Sequence, residues 1–100
     1  MSLFDGNVIT EEYLEQSGFR CCGTIYTKTF KNKSGERVDV TYYIKDSYFS
    51  SNRKKSDIVV NTRLTSPLGS NNIWREEIYR KITDTIEFEK IITKHINESI

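Results

Sequence analysis

At 100 residues the chain has the size of one domain, long enough to bury roughly two thirds of the surface its unfolded form exposes. Fifteen basic and fourteen acidic side chains leave a formal charge of +1, which excludes a global field of the kind that drives non-specific binding to nucleic acid or membranes. Only 36% of residues are hydrophobic, but aromatic residues make up 12% and isoleucine is abundant, so a packed core is expected and disorder is not.

Met1 to Gly6 is too short and too polar for the apolar part of a signal peptide, and no run approaches the ~18 apolar residues of a membrane span. Ile9 to Gly18 then reads as a short helix. Thr10 is its cap, Glu11 and Glu12 suit the positive end of the dipole, and Gly18 supplies a left-handed exit with Phe19 folding back over it. The adjacent Cys21 and Cys22 cannot bridge each other without a strained ring, so both are expected to be thiols in a reducing cytoplasm, one facing the core and one facing out. Without a second Cys/His pair to join them, and with His95 the only histidine, neither a metal nor a redox cofactor is expected.

From Cys22 the period changes to two. Cys22, Thr24, Tyr26, Lys28 and Phe30 alternate with Ile25, Thr27 and Thr29, which predicts a first strand. A turn at Asn32 to Glu36 leads to Val38, Val40, Tyr42 and Ile44 alternating with polar residues, so an antiparallel hairpin is predicted. After a polar stretch, Ile58, Val60, Thr62 and Leu64 alternate in a third strand. Ser66 to Ser70 contains the single proline and breaks the pattern, after which Trp74, Ile78 and Ile82 fall at helical spacing with Ser70 or Asn71 as cap. Asp84 with Glu87 resembles a capping box before Phe88, Ile91, Ile92, His95 and Ile96, which share one helical stripe. The expected fold is therefore a single α+β domain over residues 1–100: a short N-terminal helix, a three-stranded antiparallel sheet, and one or two C-terminal helices packed on one sheet face.

Candidate sites are few. Arg53, Lys54 and Lys55 follow Tyr48 and Phe49, with Arg63 on the next strand, and cations beside aromatic rings are the chemistry that grips phosphate while stacking on bases. Charges that merely keep a loop soluble are the plainer account. Trp74, Ile78, Tyr79, Phe88 and Ile92 supply more apolar surface than a small core needs, which points to an interface with a protein partner or a second copy of the chain. The polar strand positions Thr27, Lys28, Asp39, Thr41, Tyr43 and Arg63 form either a ligand floor or a solvated face. His95 has no nucleophile or carboxylate spaced to work with it, and the glycines are too dispersed for a phosphate loop, so no enzymatic activity is expected.

The run Thr10-Glu11-Glu12-Tyr13-Leu14-Glu15-Gln16-Ser17-Gly18-Phe19 resembles the T-x-x-x-L-x-x-x-G-F opening of small uncharacterised phage and prophage proteins. The absence of alanine and the wealth of Ile, Asn, Lys and Tyr fit AT-rich coding. The resemblance implies an accessory protein in the cytoplasm of a bacterial host, acting by binding and inhibiting a host protein, as in antagonism of host defence. The alternative is a protein that binds nucleic acid or sequesters a nucleotide signal through the basic loop. The helix–sheet–helix order is similar to that of the double-stranded RNA-binding domain, but Asn72 to Glu77 carries two acids where that family has a lysine-rich clamp.

Overall fold

The computed structural model describes residues 8–47, 52–64 and 73–97. In chain order the elements are α1 (Glu11–Gln16), β1 (Arg20–Cys22), β2 (Ile25–Lys31), β3 (Arg37–Tyr43), β4 (Ile58–Leu64), β5 (Ile73–Tyr79) and α2 (Thr85–Asn97). The strands form one five-stranded sheet in the order β1-β2-β3-β4-β5, each antiparallel to the next. The α+β class and the short N-terminal helix stand as expected. The strand count does not.

Local punctuation explains α1. Thr10 Oγ1 accepts the Tyr13 N–H at 3.1 Å, and Gly18 takes φ +90°. The Phe19 amide then bonds back to Leu14 O and the Gly18 amide to Glu15 O, closing the helix as a Schellman motif with Phe19 and Leu14 buried. The turn between β2 and β3 is organised by Asn32, whose Oδ1 accepts the amides of Ser34 and Glu36 while its Nδ2 donates to Glu36 Oε1.

Two of the five strands were not expected. The predicted strand from Cys22 to Phe30 is broken by a two-residue turn at Gly23-Thr24, with Gly23 at φ +68° and Cys22 paired with Ile25. That sign at the first central residue is the one a tight hairpin requires, so β1 folds back on β2 as a short edge. The two cysteines alternate as expected, Cys21 pairing with Tyr26 of the covered face and Cys22 with Ile25 of the open one, but the brevity of the strand leaves both exposed and neither in the core. The second correction is larger. Trp74 and Ile78, predicted on a helix, lie on β5, which pairs with β4 over its whole length. Ile82 follows in the connection, buried, its N–H bonded to Ser56 O. The intrinsic helix preference of Arg75-Glu76-Glu77 is weak beside a full ladder of backbone hydrogen bonds for β4. A single helix, α2, therefore closes the described fold; Asp84 Oδ1 accepts the Ile86 amide at 3.0 Å as predicted for its cap. The predicted break at 66–70 and the cap at Ser70 or Asn71 lie outside the described residues.

Register sorts the sheet into two faces. Tyr26, Phe30, Val38, Val40, Tyr42, Ile58, Val60, Thr62, Arg75, Glu77 and Tyr79 share one face, against which α2 packs. Phe88 is the hub of that contact, fully buried, with its ring edge-on to Tyr42 at 5.6 Å and within 5.5 Å of Phe19. Burying such a side chain contributes about 1.5–3 kcal/mol. Lys28 belongs to this covered face as well, not to the polar face assigned to it from the sequence, because it pairs with Val40.

A candidate binding face on the open side of the sheet

The opposite face carries Ile25, Thr27 and Thr29 from β2, Asp39, Thr41 and Tyr43 from β3, Val59, Asn61 and Arg63 from β4, and Trp74, Glu76 and Ile78 from β5. Its two ends differ. Toward β2 and β3 the side chains satisfy one another: Thr29 Oγ1 donates to Asp39 Oδ1 at 2.7 Å and Arg37 Nε to the same oxygen at 3.0 Å. Toward β4 and β5 apolar and polar residues alternate: Val59, buried, pairs with half-buried Ile78, Asn61 pairs with Glu76, and Trp74, 47% exposed, stands at the far end. Arg63 is the register partner of Trp74, so cation and indole stand side by side on one face.

The basic loop reaches this same patch. Arg53 Nη2 binds Glu76 Oε1 at 3.1 Å, which places its guanidinium over the open face. The loop is held there by Asp57, only 1% exposed, whose carboxylate accepts the Lys54 amide at 2.9 Å and the Arg80 guanidinium. Lys54 and Lys55 are exposed, and the Lys55 amide bonds to Asp46. Tyr48 and Phe49, the aromatic half of the predicted ligand site, lie outside the described residues.

The fold thus redraws both predicted sites. It brings Arg53 and Arg63, expected to hold a ligand, onto one surface with Trp74 and Ile78, expected to form an interface. The other three predicted interface residues lie on the covered side. Phe88 and Ile92 are core, at 0% and 9% exposure, and Tyr79 faces α2. They are spent on packing because α2 is the one helix that covers the sheet. Glu76 was missed, since a helical reading of 70–82 gives no reason to place it near Arg53.

Beneath α2, Tyr79 Oη donates to Glu77 Oε2 at 2.7 Å and lies 2.8 Å from His95 Nε2. The phenol has one proton and gives it to Glu77, so Nε2 carries the proton of its contact with Tyr79. The Tyr79 hydrogen bond, helped by the charges of His95, Lys94 and Arg75 and opposed by burial, holds Glu77 below the usual carboxylate range. His95 is 1% exposed, and through Tyr79 and Glu77 this cluster ties α2 to β5.

A cleft of about 310 Å³ lies between α1, β2 and α2, lined by Tyr13, Phe19, Phe30 and Phe88 with Lys28 at its wall. Lys28 Nζ donates to Ser17 O at 2.7 Å and sits 4.9 Å from the Phe30 ring centre, so it closes the end of α1. Among the described residues no group of three or more His, Cys, Asp or Glu is placed to hold a metal, and no helix is long and apolar enough to cross a membrane. No protein-family model, curated protein or solved structure matches the chain.

Proposed function

We propose that this protein works by binding another protein across the β4–β5 end of its open sheet face, with Trp74 as anchor. The reading rests on one observation: a half-exposed tryptophan flanked on its own face by Arg63 and by the Arg53–Glu76 pair, beyond which Ile78 and the covered Val59 pair with each other. An aromatic anchor inside a charged rim is the composition of an interface hot spot. The phage-like opening of the sequence supplies the setting: a non-enzymatic accessory protein in the cytoplasm of a bacterial host, whose partner is a host protein that it inhibits.

The rival reading, binding of nucleic acid or a nucleotide signal, draws on Arg63 beside Trp74 and on Lys54 and Lys55 nearby in the loop. Against it, Arg53 is neutralised by Glu76 and Arg80 by Asp57. A surface built to collect phosphates leaves its guanidinium groups for the ligand.

The test is capture from host lysate by the wild-type chain and by Trp74→Ser and Arg63→Glu. Removing an anchor costs about 2–4 kcal/mol, so the host protein should be retained by wild type and lost by roughly 30-fold or more with Trp74→Ser. Equal capture by all three chains, or capture of nucleic acid that falls steeply with salt, overturns the proposal.

A further inference from the structure

The two edges of the sheet differ in length and in charge. β1 is three residues long, too short to template another strand. β5 has seven residues, Ile73–Tyr79, and among the described residues only β4 pairs with it. A long regular edge is a site where another chain adds, and natural proteins usually blunt it with charged side chains, proline or a bulge. β5 contains no proline and pairs with β4 residue for residue, without a bulge, and its charges, Arg75, Glu76 and Glu77, are of both signs, so they repel an added strand only where like faces like.

Its sequence is also self-complementary. Around Glu76 the order is Trp74, Arg75, Glu76, Glu77, Ile78, so a second copy running antiparallel meets it with apolar opposite apolar and cation opposite anion. Two copies with their helices on the same side must pair residues of like parity, because parity decides the face. Three such registers are close at hand. An axis at Arg75 sets Arg75 against itself and Trp74 against Glu76. An axis at Glu77 sets Glu77 against itself and Glu76 against Ile78. An axis at Glu76 sets Arg75 against Glu77 twice, Trp74 against Ile78 twice, and Glu76 against itself.

The last register carries one like-charge contact, and the structure already answers it: each Glu76 holds an Arg53 guanidinium at 3.1 Å. The Arg75 and Glu77 of one chain lie on the same face, with Nε and Oε1 3.8 Å apart, so two copies would place four charges in alternating order. We propose that the protein forms a two-fold symmetric dimer by antiparallel pairing of β5 with β5 about Glu76, joining two five-stranded sheets into one of ten. The dimer doubles the open face, with Trp74 of each copy beside Ile78 of the other.

Sedimentation equilibrium of the full chain over rising concentration should show monomer passing to dimer. Arg75→Glu and Glu77→Arg each replace both opposed pairs with like charges, so each alone should dimerise about tenfold more weakly or worse. Mixed one to one they should dimerise with each other, because the paired acids of the first variant then face the paired arginines of the second. In a Cys21→Ser/Cys22→Ser background, Glu76→Cys should give a disulfide-linked dimer on mild oxidation, while Trp74→Cys, four positions from its own copy, should not. This last pair needs no change at Glu77 and so stands even if the charge variants fold poorly. A wild-type chain that stays monomeric, variants that dimerise undiminished, or cross-linking through Trp74→Cys and not Glu76→Cys overturns the proposal. Only this chain is in the centrifuge cell, so the result is independent of whether a host protein is captured.

Discussion

The two faces of the sheet are made from the same strands but put to different use. On the covered face Phe88, Tyr42, Phe19, Val38, Val40 and Val60 interlock with almost none of their surface exposed, while across the sheet Trp74 stands half in solvent. Apolar residues here divide by face rather than by sequence region: Trp74 and Tyr79, both on β5, point to opposite sides and meet opposite fates. Stability and recognition should therefore be separable by mutation. The largest effect is expected at the hub: Phe88→Ala removes a ring with contacts to Tyr13, Phe19 and Tyr42 and should cost roughly 3–5 kcal/mol, read as a lowered urea midpoint. A loss below about 1 kcal/mol would mean that the covered face is not the seat of stability.

Alkaline pH probes the same face without mutation. Tyr13 has its phenol pushed up to about 12, chiefly by burial and then by its hydrogen bond to Glu89. Burial also raises Tyr26 and Tyr42, Tyr26 with help from its bond to Glu11 and Tyr42 while it donates to Ile82 O. In each case the folded state holds its proton more tightly than the unfolded chain. The stabilisation is therefore complete below the ordinary phenol value of 10 and drains away as pH rises through the folded values. Thermal melts should hold level up to about pH 10 and fall beyond it, more shallowly in Tyr13→Phe. Melts that stay flat to pH 12, or a Tyr13→Phe curve identical to wild type, would separate these phenols from the stability of the covered face.

Much of the covered face was legible in the sequence, and little of the open one. Thr10 and Gly18 mark α1 by backbone rules that act within a turn, and Val38, Val40 and Tyr42 announce a strand because burial on one side imposes a period of two. β5 was misread because Trp74 and Ile78, on one face of it, and Ile82 beyond it mimic a helical stripe. The turn at Gly23 had a signal, a glycine inside a strand pattern, that points to a bend or bulge. The open-face patch had none. Arg53 and Glu76 are 23 residues apart, and only the placement of β5 beside β4 brings the loop and the tryptophan strand together. Lys28 shows the same limit in reverse, since its charge suggested solvent while its register set it at the covered face beside Phe30.

Trp74 is nearly half exposed on the last strand of the described sheet, so Trp74→Ser removes less buried area than Phe88→Ala and leaves the β4–β5 backbone ladder in place. The loss of a half-buried aromatic side chain from a strand should cost about 1–2 kcal/mol. The urea midpoint of Trp74→Ser should therefore lie nearer to that of the wild type than to that of Phe88→Ala. A residue kept for packing would show the opposite balance, costing stability in proportion to the area it buries. A tryptophan whose removal leaves the fold intact while abolishing capture of a partner is held at the surface for recognition. Were Trp74→Ser to destabilise the chain as strongly as Phe88→Ala, the open face would be a second core, and the separation of the two faces would fall with it.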